Sequence, residues 1–220
     1  MFDFFKKAVR ARWNEGRTPP EAPGSTHPLN LRLGAVVTID KLPFKMLGAA
    51  TLLDLPDDPQ TVEARGIIDL GEGIQLHRYY LTDDLFLQIA QRNSRVEQIK
   101  LFQFFDTLTP GSRASLETWL QPGSRLGAAT FEANGRVFQR CWGEPSDTYA
   151  PPVVFEETVY KEETQADYDL THYAMLYERE LPGSERSENL LIAVEDSGPN
   201  DFCIVTSIGL DISPADLEIV

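Results

Sequence analysis

Cysteine occurs only twice in 220 residues, as Cys141 and Cys203. A large secreted domain seldom rests on so few, and both sit among strand-like apolar or aromatic residues, so they read as buried thiols rather than a disulfide framework. Histidine is nearly as scarce: His27, His77 and His172 are scattered, with no close pair, which argues against a zinc site. No apolar run approaches the ~18 residues of a membrane-spanning helix. Fifteen glycines and fifteen prolines are too few for a collagen-like or low-complexity chain. Basic residues are outnumbered as well: 20 Lys and Arg face 34 Asp and Glu, a net charge of −14 that repels phosphate backbones and speaks against nucleic acid as a partner. The opening Met1-Phe2-Asp3-Phe4-Phe5 meets Lys6-Lys7 at once. It lacks the apolar core of about 7–15 residues of an export signal, so the expected address is cytoplasmic.

Mechanism-bearing motifs are missing too. There is no Gly-x-x-x-x-Gly-Lys phosphate loop, His-Glu-x-x-His zinc helix, Gly-x-Ser-x-Gly elbow or Cys-x-x-Cys pair. Gly71-Glu72-Gly73 lacks the third glycine of a dinucleotide fingerprint and reads as a turn. Asp167 and Asp169 lack the glycine and distal glutamate of a calcium loop. No catalytic residue, metal or cofactor is assigned, and the balance favours a protein that is not an enzyme.

Charge is sorted along the chain. Residues 1–50 carry eight basic and four acidic residues, net +4; residues 141–220 carry three and eighteen, net −15. Within the basic end, Phe2, Phe5, Val9 and Trp13 fall on one stripe of a helical wheel, flanked by Lys6, Lys7, Arg10 and Arg17. This spacing predicts a basic amphipathic helix over 1–17. The four prolines of 18–30 break it and predict a linker. The helix has two readings: contact with an anionic membrane surface or a protein partner, or docking on the acidic part of its own chain.

From residue 31 to 220 the expected class is α+β: a mostly antiparallel β-sheet body with a few short helices, two closely packed subdomains being the alternative. Strands are expected over Leu33–Ile39, Val62–Leu70, Ile74–Leu81 and Val153–Tyr160, with Tyr173–Tyr177 as a central strand. Asn134-Gly135 predicts a type I′ hairpin, and Asp196 to Asn200 turns another between Leu190–Val194 and Phe202–Val205. A helix is expected from a Thr109-Pro110 start through Leu120, and a helical turn from an N-cap at Asp83 toward Arg92.

The densest polar cluster is His77, Arg78, Tyr79, Tyr80, Asp83 and Asp84. It brings together a proton carrier for neutral pH, a fixed cation, phenols and two carboxylates, the groups that acid–base work or ligand binding requires. Alternation along a strand sends His77 and Tyr79 to one face and Arg78 to the other, so they converge only with help from elsewhere. His77 and Tyr79 as polar-tipped packing residues is the plainer account.

The segments Leu31-Arg32-Leu33-Gly34-Ala35-Val36-Val37, Gly66-Ile67-Ile68-Asp69-Leu70-Gly71 and Leu76-His77-Arg78-Tyr79-Tyr80-Leu81-Thr82-Asp83-Asp84, with the Phe-rich basic opening, resemble the YjfK-like family of uncharacterised bacterial proteins. The resemblance covers nearly the whole chain and carries no assigned activity, substrate or catalytic residue. It implies a cytoplasmic bacterial protein whose relatives are often encoded beside a membrane-associated protein similar to phage-shock protein A, which favours an envelope-associated accessory role; with the N-terminal helix, the expected address is cytoplasmic or peripheral at the inner membrane. The expectation is an accessory or interaction protein with a membrane-associated partner. The alternative is an enzyme or small-ligand binder using His77, Arg78 and Tyr79.

Overall fold

Two-residue turns set the architecture. In a computed structural model, which describes residues 27–220, Asp83 and Asp84 take φ of 55° and 58°, and Asn93 and Ser94 take 48° and 66°. Paired positive φ matches the right-handed twist of adjoining strands, so each pair closes a tight hairpin. The hairpins so formed link β2 (Gln60–Gly71), β3 (Ile74–Leu81), β4 (Leu85–Arg92) and β5 (Arg95–Leu108) into a meander, with Gly71 to Gly73 making the first turn. A second set comprises β8 (Val153–Glu162), β9 (Gln165–Glu180), β10 (Ser187–Gly198) and β11 (Asp201–Asp211), each paired with the next. β11 pairs with β5, and β8 returns to β2 through Arg65↔Tyr160, Gly66↔Val159 and Ile67↔Thr158. All these pairings are antiparallel, and together they close an eight-stranded barrel.

The remaining strands attach to that ring. β1 (Val36–Ile39) lies between the start of β2 and β12 (Leu217–Ile219). The hairpin of β6 (Thr130–Ala133) and β7 (Arg136–Arg140) turns at Asn134-Gly135, φ 46° and 70°, and pairs with β9. Helix is sparse among the described residues: α1 (Leu42–Lys45), α2 (Arg113–Leu120) and a few single 3₁₀ turns. Arg113 at the start of α2 bonds the Asp196 carboxylate and the Gly198 carbonyl and lies over the Phe202 ring, tying α2 to the β10–β11 hairpin.

The expected α+β class therefore gives way to an all-β closed barrel. The turn of helix expected from Asp83 is strand β4, and Asp83 is a hairpin residue rather than an N-cap. Its sequence, Leu85-Phe86-Leu87-Gln88-Ile89-Ala90, lacks a clean period-two pattern because both faces are covered. Leu85, Leu87 and Ile89 are as buried as Phe86, Gln88 and Ala90. α2 begins at an N-cap on Ser112, whose Oγ accepts from the Ser115 amide, three residues beyond the expected Thr109. Both cysteines are free, Cys141 buried and Cys203 partly so.

The helix expected over 1–17 and linker residues 18–26 lie outside the described residues. The last residues before position 31 are held on the barrel: Pro28 is buried and His27 is bonded to Arg65. Most of the buried apolar side chains form one cluster running from Leu31 to Ile212. No helix of the described residues is long and apolar enough to cross a membrane.

An eight-stranded barrel is just wide enough for side chains or one small ligand, so its packing is tight. At Gly209, opposite Phe102, an added Cβ would fall 2.4 Å from that ring and 2.8 Å from the Leu101 carbonyl. Gly209→Ala is expected to cost about 1–3 kcal/mol, the usual range for overpacking. A urea melt at pH 7 checks it.

Candidate functional site

Strand alternation selects what the barrel encloses. On β3, Leu76, Arg78 and Tyr80 face inward while His77 and Tyr79 face outward, and on β8 the inward set is Val153, Phe155 and Glu157. Arg78 and Glu157 meet inside, Nη1 to Oε2, at 2.8 Å, and both are almost wholly excluded from solvent. Tyr80 donates to the other carboxylate oxygen at 2.6 Å, and His172 Nε2 lies 2.8 Å from Oε2. An ionised carboxylate only accepts, so His172 Nε2 carries the hydrogen. The imidazole Nδ1 then faces Glu195 Oε1 at 3.7 Å. Gln88 accepts from Arg78 Nε at 3.0 Å, and the guanidinium lies between the Phe86 and Phe155 rings, 5.5 and 5.6 Å from their centroids.

Space for the carboxylate comes from β2. A Cβ on Gly66 would fall 1.6 Å from Glu157 Oε1. Burial opposes the charge on Glu157, but Arg78, His172 and Tyr80 overcome it and hold the carboxyl down at about 2. Burial likewise opposes the Arg78 charge, and Glu157 outweighs it, raising the guanidinium above its ordinary value. Glu195 is raised by burial, with His172 and Arg78 partly offsetting it. Cys203, whose Sγ is 3.8 Å from Glu195, is pushed up to about 11 by burial and that carboxylate.

Two cavities adjoin this centre, and Arg78 and Leu191 line both. The larger leaves about 20 Å³ to the centre of a water-sized sphere, the smaller about 10 Å³. The larger has room for one or two waters or one compact group.

The six residues of the polar cluster picked from the sequence are divided among three places. Arg78 and Tyr80 are in the interior centre. His77 and Tyr79 are on the outer face of β3, also buried, beside Arg65, which packs on the Tyr160 ring and bonds His27 Nδ1 at 2.9 Å. Asp83 and Asp84 are exposed in the β3–β4 turn, where Asp83 accepts from Gln60 Nε2 at 3.0 Å. Phe2, Phe5, Lys6, Lys7, Val9, Arg10, Trp13 and Arg17 lie outside the described residues.

Sequence reasoning missed Glu157 and used His172 only in the argument against a zinc site. The signal was present: Val153, Phe155, Glu157 and Val159 share one strand face, as do Leu170, His172 and Ala174. A charged residue in an apolar phase is a buried ion in need of a partner. Also missed was Glu188, fully buried, which accepts from the Leu52 amide at 2.7 Å and from Arg179 Nε at 2.9 Å, fastening the segment after α1 to the barrel. Among the described residues no group of three or more His, Cys, Asp or Glu is placed to hold a metal ion.

These features define a closed antiparallel barrel with a self-paired ionic centre. The chain belongs to the family described as "Protein of unknown function (DUF2491)", which matches residues 1–218. It is similar to "Uncharacterized protein YjfK" of Escherichia coli (strain K12), 28% identical over 201 residues that span 88% of this chain and 90% of that protein. No solved structure matches it.

Acid sensitivity follows from two of these groups. Burial, then repulsion from Arg65 and His27, pushes His77 down from 6.5 to about 4. The folded state thus prefers neutral His77, a contribution complete above pH 6.5 and lost as the pH falls toward 4. The Glu157 contribution is complete above pH 4.5 and lost between there and about 2. The unfolding free energy should therefore fall in two stages below pH 7. His77→Gln should flatten the stage between 6.5 and 4, worth at most about 3 kcal/mol, and leave the lower one. Urea titrations at pH 7, 5, 4 and 3 on both proteins read this directly.

Proposed function

We propose that this chain works by contact rather than by catalysis, as an accessory protein whose basic segment 1–17 touches an anionic membrane surface while the acidic barrel stays clear of it. The observation that carries this reading is the charge layout: net +4 over residues 1–50 against −15 over 141–220. The described chain starts at His27, bonded to Arg65 and 3.5 Å from Glu163, next to the β8–β9 turn. The acid–base groups inside the barrel support the same reading, because Arg78, Glu157, Tyr80 and His172 are engaged with one another.

Phe2, Phe5, Val9 and Trp13 would each contribute about 1.5–3 kcal/mol on burial, before ordering costs. Each Lys or Arg near an anionic surface adds about 1 kcal/mol. Repulsion of the barrel is screened beyond a Debye length of about 8 Å at physiological salt, which a linker of this kind spans. A membrane-associated protein partner, with the chain peripheral at the inner membrane and otherwise cytoplasmic, is the related reading from the family resemblance.

A second reading, in which the barrel binds a small molecule, is favoured by the position of Arg78 on the wall of both cavities. His77 and Tyr79 take no part in it, being on the opposite face of β3.

Liposome flotation tests the contact reading. The full chain should float with anionic vesicles at low salt, float less at high salt and stay down with neutral vesicles; Phe5→Asp with Trp13→Asp should abolish flotation without changing the melt. Failure to float under any condition, or equal flotation of the double variant, would count against it.

A further inference from the structure

The strand register lines up three donors across one wall of the barrel. Arg78 on β3 is opposite Gln88 on β4, and Gln88 is opposite Lys100 on β5. All three side chains are more than nine-tenths buried and all line the larger cavity. None of the described residues lining it is a carboxylate, although the chain as a whole is strongly acidic. The opposite wall, from β8, β9 and β10, presents Phe155, Leu176 and Leu191.

The donors are not all used. Arg78 can only donate, so the bond from its Nε fixes the Gln88 amide with its oxygen toward Arg78 and its NH₂ directed elsewhere. No described residue accepts from that NH₂. Lys100 Nζ gives two hydrogens, to Asn189 Oδ1 at 2.9 Å and Asp211 Oδ1 at 2.8 Å, and keeps a third. One wall thus offers two cations and an amide with hydrogens to give, while the other offers hydrocarbon.

We propose that this cavity binds a compact monocarboxylate, its anionic head on Gln88 and Lys100 beside Arg78 and its short apolar body against Phe155, Leu176 and Leu191. A neutral polar ligand would forgo charge-assisted bonds to the remaining hydrogens of Lys100 and Arg78, and a cation would find no carboxylate on the described cavity lining. The available space sets the size at a few carbons. This deepens the small-molecule reading and does not depend on membrane contact.

Isothermal titration calorimetry on the full chain tests it, with acetate, propionate, butyrate and hexanoate at constant ionic strength. Butanol and butylammonium serve as uncharged and cationic probes. The expected result is saturable binding with an optimum chain length, weaker by about tenfold or more for butanol, in keeping with the loss of a charge-assisted hydrogen bond. Gln88→Leu should weaken butyrate by a similar factor, and Val153→Phe, which fills the apolar side, should abolish binding, with melts confirming that both variants fold. Butanol or butylammonium binding as well as butyrate would overturn the carboxylate while leaving a small-molecule site. Wild-type affinity in both variants would overturn the location. No saturable binding by any probe would overturn the proposal and the small-molecule reading together.

Discussion

The salt bridge between Arg78 and Glu157 crosses the barrel at its narrowest seam. Closure depends on β8 pairing with β2, and that pairing spans only three residue pairs. Glu157 lies on β8 at this seam and reaches past Gly66 of β2 to bond Arg78 and Tyr80 on β3. Side-chain bonds thus cross the strand where the backbone ladder is short. Burying two ions costs several kcal/mol each unless the pair is well made and its other hydrogen-bonding positions are filled. Gln88, Tyr80 and His172 fill them, and the Phe86 and Phe155 rings flank the guanidinium. The centre therefore demands particular neighbours: a glycine at 66, a phenol at 80, an amide at 88 and an imidazole at 172.

The same centre separates two kinds of functional reading. The carboxylate and imidazole that could move a proton are bound to fixed partners, whereas the donor wall from Arg78 to Lys100 still has hydrogens to give. The proposed anion site rests on those hydrogens. The two proposals, a ligand held inside the barrel and surface contact through segment 1–17, are compatible on one chain because they call on different residues.

Much of the strand layout was legible because turn chemistry is local. Asn134-Gly135, Gly71 to Gly73 and Asp196 to Asn200 mark hairpins wherever they occur, and β3 has the bounds its apolar run predicts. The closed barrel was not legible, since closure rests on the Arg65–Tyr160 and Ile67–Thr158 partners, residues about 90 positions apart with no pattern linking them. β4 was mistaken for a helical turn because burial on both faces erased its alternation. For the site, alternation correctly parted Arg78 from His77 and Tyr79, but the partner of Arg78 came from a strand read only for its apolar residues.

The most direct measurement is a double-mutant cycle across the seam, using urea unfolding of Arg78→Met, Glu157→Met and the two combined. Each single change strands a buried charge and should cost about 3–5 kcal/mol. The double variant, with no charge left to strand, should recover most of that loss. Additive losses, or single variants as stable as the parent, would contradict the claim that the two ions depend on each other across this seam.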